Sequence, residues 1–275
     1  MQFNVRRGDV EQNAKSALDG IREAAEDGAE LIVLPEMWPT SFVREASDSL
    51  IEASLAAEDR VTALSKDLGI VVVGGGIERD GDQLFNRARI IDRGEVLGSY
   101  RKIHLFSPNA EHRHLTPGAD PLIADTSLGR VGVLICYDIR FPELVRYHFY
   151  QGAELLAVPS QWPEARSEHW RVLLKARAIE NELFVAGCNR TGVEESMKND
   201  DHLHFPGDSR IVDPMGEAIG AGTGEDGPIC AEVELRKVQS MRRILPIHRD
   251  RRLDVYEKLW KGSFSAEPDV PPPTS

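Results

Sequence analysis

The sequence predicts an α/β fold in which a two-layer sheet core is clothed by helices. Short apolar, largely β-branched runs, among them Leu31-Ile32-Val33-Leu34, Ile70 to Val73 and Val131 to Ile135, alternate with stretches of helical periodicity. That is the pattern of strands buried on both faces. The segment Gly28-Ala29-Glu30-Leu31-Ile32-Val33-Leu34-Pro35-Glu36-Met37-Trp38 parallels Gly152-Ala153-Glu154-Leu155-Leu156-Ala157-Val158-Pro159-Ser160-Gln161-Trp162. Each half of the chain therefore repeats a unit of helix, Gly, strand, Pro and loop. No compositional break marks a linker between the halves, so one domain is expected over residues 1–265. Residues 266–275, ending in Pro271-Pro272-Pro273-Thr274-Ser275, are expected to be a mobile tail.

Taken in order, Gln2 to Val5 read as the tail of a strand close to the chain start. Asp9 is a plausible N-cap with Gln12 in the capping-box position, and Val10, Ala14, Ala17, Leu18, Ile21 and Ala25 give Val10 to Asp27 helical spacing closed by Gly28. Leu31 to Leu34 form a strand that delivers Pro35-Glu36-Met37-Trp38 at its C-terminal end. Between Ser47 and Leu68 the apolar positions Ile51, Leu55, Val61, Leu64 and Leu68 mark a second helix, stopped by Gly69. The next strand, Ile70 to Val73, runs into Gly74-Gly75-Gly76. No Gly-Lys-Ser/Thr follows, so close packing rather than phosphate binding is the expected reason for the glycines. Leu84 to Ile91 and Val96 to Tyr100 read as a hairpin around Asp92-Arg93-Gly94-Glu95. From His104 to Asp120 the chain is loop-like, a length typical of functional loops. After the strand Val131 to Ile135, Asp138 and Pro142 suit the cap and first turn of a helix reaching Gln151. A strand at Leu155 to Val158, a long helix from Ser167 to Asn181 and strands at Phe184 to Cys188, Ser209 to Asp213, Ala218 to Ala221 and Ile229 to Leu235 complete the sheets. A short helix holds Val255-Tyr256 and Leu259-Trp260.

Composition limits the function. A formal charge of -12 argues against a nucleic-acid or anionic-membrane surface, both of which attract Lys and Arg. No apolar run approaches the roughly 20 residues of a spanning helix, and Met1 to Asn13 lacks the apolar core of a signal peptide. The chain is read as soluble and cytoplasmic, with no membrane and no nucleic-acid partner. Three widely spaced cysteines, Cys136, Cys188 and Cys230, support neither a disulfide framework nor a zinc knuckle.

Cys136 ends its strand just before the expected helix start, where backbone N–H groups and the helix dipole favour thiolate. Glu36 and Lys102 also stand at or just past the C-terminal ends of strands, the edge at which open α/β sheets bind ligands. A carboxylate can take a thiol's proton, and a lysine can favour the thiolate and hold a developing oxyanion. Together the three make an acyl-transfer site. Singly, Cys136 is also readable as a small buried core residue, Glu36 as a loop acid and Lys102 as a surface lysine.

Leu31 to Trp38, Tyr100 to Phe106 and Gly132 to Leu144 resemble the three signature segments of the nitrilase superfamily, carbon–nitrogen hydrolases with a Glu-Lys-Cys triad. The resemblance covers nearly the whole chain. It implies a four-layer α-β-β-α sandwich, with 1–265 as the carbon–nitrogen hydrolase domain. It also implies Glu36 as general base, Lys102 as stabiliser of the tetrahedral intermediate, Cys136 as nucleophile and the backbone N–H of Tyr137 as part of the oxyanion hole. Glu111, six residues before Pro117-Gly118, matches a second glutamate that orients the lysine and the substrate amide. No cofactor is implied and no metal. A metal site from His112, His114 and Glu111 would lack a third imidazole at ligand spacing, and the two histidines are read as structural. Members have several more residues before the segment matching Gln2-Phe3-Asn4-Val5, so this strand is expected to be clipped and the protein's start to lie upstream.

Tyr137-Asp138-Ile139 after the cysteine looks like the amidase branches, whereas true nitrilases usually carry Trp-Glu there. Gln161-Trp162-Pro163, Arg166, Trp170 and Ala176 to Asn181 are similar to ω-amidases, which act on the terminal amide of small dicarboxylic monoamides. Tyr137, Arg140, Trp162, Arg166 and Arg177 are the candidate substrate-binding residues, the arginines as a carboxylate clamp. Short aliphatic amides, N-carbamoyl compounds and nitriles stay open as substrates. A non-catalytic interaction protein of the same fold, and a redox sensor at Cys136, are the readings from other classes. The second lacks a nearby resolving cysteine in the sequence. Resemblance further implies a homodimer or larger homo-oligomer.

Overall fold

A computed structural model describes residues 1–197 and 201–263, the last two through their backbone. The first half of the chain supplies α1 (Val10–Glu26), β1 (Leu31–Val33), α2 (Asp48–Leu68), β2 (Val71–Gly74), β3 (Ile77–Asp80), β4 (Gln83–Asp92) and β5 (Glu95–Arg101). The second supplies β6 (Leu122–Thr126), β7 (Gly129–Val133), α3 (Pro142–Tyr150), β8 (Leu155–Ser160), α4 (Ser167–Asn181) and β9 (Phe184–Asn189). It continues with β10 (Thr191–Glu195), β11 (His202–Pro206), β12 (Arg210–Val212), β13 (Ala218–Ala221), α5 (Arg236–Ile244), α6 (Ile247–Asp250) and α7 (Leu253–Ser263). The expected tail at 266–275 lies outside the described residues.

Each half builds one sheet. The first runs β1-β2-β4-β3, with β5 also on β4; the second runs β13-β12-β9-β8-β7-β6. β1 and β2 are parallel, as are β7, β8 and β9, and the remaining pairs in the two sheets are antiparallel. Alternation along the strands decides the layering. Val33, Val71 and Val73 point inward to the face of the other sheet that carries Val131, Val133, Leu155 and Ala157, whereas Ile32, Leu34 and Val72 point outward to Ala14, Leu18 and Ile21 of α1 and Val61 and Leu64 of α2. α4 covers β9 and β12 of the second sheet through Trp170 and Leu174, and α3 packs beside it with Val145. The result is the four-layer α-β-β-α sandwich, with the repeated strands β1 and β8 in contact across the inter-sheet core.

The ends of the helices follow local chemistry. Asp9 accepts the Gln12 N–H at 3.2 Å, but the Gln12 side chain turns to Ser16 and leaves the capping box half made. Ser47 caps α2 by accepting the Leu50 N–H at 3.2 Å, and Gly69 closes it in the left-handed region.

Two expected strands do not form. Gln2 to Val5 makes only isolated bridges, Gln2 with Gly227 and Asn4 with Thr191. Ile229 to Leu235 pairs with no strand among the described residues; together with β1, an edge strand, it lines a cavity of about 500 Å³. Conversely, β3, β6, β10, β11 and α5 carry no long apolar run, and the sequence did not announce them. The 104–120 segment is a loop as expected, containing short 3-10 turns at Ser107–Asn109 and Glu111–Arg113.

The three glycines that close and follow β2 serve packing. A Cβ on Gly75 would run into the Arg87 carbonyl oxygen and lie 2.9 Å from the Ala88 Cα. The Gly75 carbonyl accepts the Trp38 N–H at 3.2 Å, so this close approach seats the Glu36 turn against β4. Because the clash is with backbone, Gly75→Ala is expected to lower stability by about 1–3 kcal/mol in urea unfolding.

Candidate active site

Three chain reversals at one edge of the sandwich bring the predicted groups together. Glu36 lies in the turn after β1, where Met37 adopts φ 48°. Lys102 follows β5 and is fixed by its N–H to the Asn86 carbonyl at 2.8 Å. Cys136 stands three residues past β7 with φ 48°. A left-handed conformation costs a side-chain-bearing residue about 1–2 kcal/mol. Such strain is retained where surrounding structure over-determines it, commonly at sites of chemistry.

Lys102 is buried, and its ammonium is surrounded by carboxylate. Nζ donates to Glu36 Oε1 at 2.7 Å and to both oxygens of Glu111 at 3.0 and 2.8 Å. Asn86 Nδ2 bridges the same acids, donating to Glu36 Oε1 at 2.7 Å and Glu111 Oε1 at 3.2 Å. The Gln161 N–H reaches Glu36 Oε2 at 3.0 Å, and the Phe106 N–H reaches Glu111 Oε2 at 2.7 Å. The Cys136 Sγ lies 3.9 Å from the Gln161 carbonyl, close enough to Glu36 and Lys102 that each alters its proton affinity.

The electrostatics favour a stored proton. Burial drives the Glu36 carboxyl above its ordinary range; Lys102 opposes this and Glu111 adds to it. Burial likewise pushes the Cys136 thiol well up, reinforced by Glu36 and opposed by Lys102. Burial alone would lower the Lys102 ammonium, but Glu111 and Glu36 override it and hold the charge. The arrangement thus pairs a thiol with an unusually basic carboxylate beside a permanent cation.

This corrects the expectation of a thiolate at a helix N-terminus. α3 begins only at Pro142, and a 3-10 turn at Cys136–Arg140 intervenes. Pro142 is the first residue of α3 as read, but Asp138 does not cap it: its carboxylate accepts the Ile135 N–H at 3.0 Å.

A cavity of about 330 Å³ opens onto Glu36, Lys102, Glu111 and Cys136, walled by Phe42, Phe106 and the β10–β11 hairpin. Arg166 lines it, with the guanidinium over the Phe106 ring. Trp162 donates its indole N–H to the Arg166 carbonyl at 2.8 Å, Arg140 stacks 4.7 Å over Trp162, and Tyr137 packs edge-on against Phe106. These three stand around the wall rather than lining the cavity. Arg177 is elsewhere: it is buried, donating to the Ile139 carbonyl at 2.8 Å and to Glu180 at 2.8 Å, so its guanidinium is spent on the scaffold. That removes it from the clamp.

Reading the sequence did not single out Asn86 or the role of Gln161. Asn86 had a signal, a polar residue inside the β4 apolar run; Gln161 had one in the internal repeat, which sets the two Pro-containing turns side by side. A further tie runs through buried Arg190, whose guanidinium donates to Gln161 Oε1 at 3.0 Å, Ser41 Oγ at 3.2 Å and Glu194 Oε2 at 3.0 Å, while Gln161 Nε2 donates to the Glu36 carbonyl at 2.8 Å. Among the described residues no group of three or more His, Cys, Asp or Glu is placed to hold a metal ion, and no helix is long and apolar enough to cross a membrane.

A family model described as carbon-nitrogen hydrolase matches residues 1–243. The chain is 36% identical over 259 residues to the 2-oxoglutaramate amidase of Bacillus subtilis, covering 93% of this chain and 97% of that protein. Its fold is similar to the crystal structure of a carbon-nitrogen hydrolase from Helicobacter pylori G27, at TM-score 0.86 and 25% identity over 95% of this chain and 97% of that one. It is also similar, at TM-score 0.77 and 30% identity, to a variant of the amidase from Nesterenkonia sp. AN1, covering 92% of this chain and 95% of that one. That variant shows covalent addition of the acetamide moiety of fluoroacetamide at its active-site cysteine.

If Glu36 must be ionised to act, the acidic limb of kcat/KM lies above 4.5, its ordinary value. Glu111 raises the Glu36 pKa. Glu111→Gln is therefore expected to shift that limb to lower pH while reducing the plateau, as read from kcat/KM between pH 4 and 9.

Proposed function

The chain belongs to the carbon–nitrogen hydrolase family, and from its site we propose a cysteine-dependent amidase that hydrolyses the terminal amide of small dicarboxylic monoamides to carboxylate and ammonia. The observation that carries this reading is the Lys102 ammonium held between Glu36 and Glu111 beside the Cys136 thiol, at a cavity that also contains Arg166.

In this mechanism Glu36 takes the thiol proton as Sγ attacks the amide carbonyl. Lys102 and the backbone N–H of Tyr137 stabilise the tetrahedral oxyanion. Collapse breaks the C–N bond, and Glu36 returns its proton to the leaving nitrogen, which departs as ammonia. The acyl group remains on sulfur as a thioester. Water, deprotonated by Glu36, attacks that thioester; the acid product leaves and the proton returns to sulfur. Glu111 orients Lys102 throughout. The basicity that burial gives Glu36 compensates for the reluctance of a buried thiol to ionise.

Arg166 is the group for the substrate's distal carboxylate, since guanidinium binds carboxylate in a bidentate way. Trp162 fixes the Arg166 backbone, and Arg140 adds positive charge around the wall. A cavity of about 330 Å³ suits a small substrate. The same reading takes the enzyme as cytoplasmic and as a homodimer or larger assembly; exposed Tyr147 on α3 and Val172 and Ile179 on α4 support association through those helices.

Ammonia release from a panel of amides, nitriles and carbamoyl compounds tests the reading. 2-Oxoglutaramate and succinamate should exceed propionamide in kcat/KM, and all turnover should vanish in Cys136→Ala. Full activity in that variant, or inertness of the parent across the panel, rejects the mechanism. Arg166→Gln should raise KM for the dicarboxylic monoamides by about 10–100-fold, the loss of one charged hydrogen bond, and leave propionamide within about twofold.

A further inference from the structure

We propose that Asp138 is a positioning residue that sets the spacing between the Cys136 sulfur and the Lys102 ammonium. The proposal rests on Cys136 being the nucleophile. The Asp138 carboxylate is fully buried and touches neither the cavity nor the reacting groups. Of its four contacts, one is to the segment that delivers the cysteine and three are to the segment that delivers the lysine. Oδ2 accepts the Ile135 N–H at 3.0 Å, immediately before Cys136, and the Tyr100 hydroxyl at 2.7 Å, two residues before Lys102. Oδ1 accepts the His104 N–H at 2.9 Å, two residues after Lys102, and stands 2.8 Å from His104 Nδ1. The Tyr100 oxygen in turn accepts the Ile103 N–H at 3.3 Å. Lys102 is thus bracketed on both sides by residues bound to one carboxylate, and that carboxylate belongs to the turn that bends the cysteine.

The geometry is directional. The His104 ring lies stacked on Phe141, centroids 3.5 Å apart and planes within 8°, so the imidazole is fixed from the far end of the same turn. With Nδ1 as donor, all four partners donate to Asp138, and every one of its contacts requires an acceptor. A fully buried carboxylate is unfavourable unless its lone pairs are filled, and here both oxygens are filled twice. An amide in its place would turn N–H groups towards two of those donors. The first sheet, through β5, and the second, through β7, would then lose their common tie at the point where the sulfur and the ammonium meet. Displacement of a reacting group by an ångström reduces turnover by about 100-fold.

The experiment is Asp138→Asn, with Tyr100→Phe as the milder variant that removes one donor and keeps the ring. Both are made in a Cys230→Ser background, because Cys230 is an exposed free thiol; Cys136 is titrated with iodoacetamide in the folded protein, and kcat is expressed per thiol whose alkylation abolishes activity, so that a smaller folded fraction does not register. Expected are a fall in kcat per thiol of about 100-fold in Asp138→Asn and about 10-fold in Tyr100→Phe, with KM within threefold. The pH profile of alkylation should also move upward, because the ammonium that favours thiolate has shifted. If Asp138→Asn does not fold, Tyr100→Phe alone decides. A kcat per thiol within twofold of the parent in a folded variant, or an unmoved alkylation profile, overturns the proposal. Loss of activity in Cys136→Ala accompanied by unchanged Asp138→Asn rejects this inference only, whereas activity persisting in Cys136→Ala rejects the nucleophile itself.

Discussion

A buried cation with two anions around it is the constraint on which this structure depends. The Lys102 ammonium has three protons to donate, and it meets carboxylate oxygens of Glu36 and Glu111 at 2.7 to 3.0 Å. An unpaired charge at this depth would be strongly destabilising, and paired with a single acid it would be neutral. The second acid tips the balance negative, so ionising the sulfur as well would place a third anion against one cation. Burial and Glu36 accordingly hold the Cys136 thiol well above its ordinary range, against the pull of Lys102. Asn86, the Gln161 N–H and the Phe106 N–H fill the remaining lone pairs and fix both acids in place.

The sandwich makes this possible because its two sheets come from the two halves of the chain and present their turns at a common edge. β1 leads into the turn bearing Glu36, and β8 into the turn bearing Gln161, whose backbone bonds that same carboxylate. The internal repeat is therefore expressed in the site as well as in the layers. Lys102 arrives from a hairpin in the first sheet and Cys136 from a strand parallel to β8 in the second, so the ammonium and the thiol are anchored in different sheets.

Much of this was legible beforehand. α4 spans Ser167–Asn181, and the β4–β5 hairpin turns where its Gly-containing sequence said it would, because long periodic segments and turn glycines encode their own structure. The candidate quartet Glu36, Lys102, Glu111 and Cys136 was legible from motif order, and these residues lie together. What failed depended on partners that local sequence does not name. Ile229 to Leu235 has strand composition but pairs with no strand among the described residues. The β10–β11 hairpin is polar enough to pass for a loop. Asp138 reads as a helix cap by position, but its acceptors are claimed by Tyr100 and His104, more than thirty residues away. Arg177 has the right chemistry for a clamp, and only its bond to the Ile139 carbonyl shows where it points.

The Arg190 tie described above links the wall of the cavity to the turn of the proposed base. Glu194, on β10, shares Arg190 with Gln161, and Gln161 holds the Glu36 backbone. Remodelling that hairpin to admit bulkier amides would loosen the carboxylate at the same time. In this scaffold the cavity wall and the seat of the Glu36 carboxylate are inherited together, and a lineage that reshapes β10 must first find another anchor for residue 161.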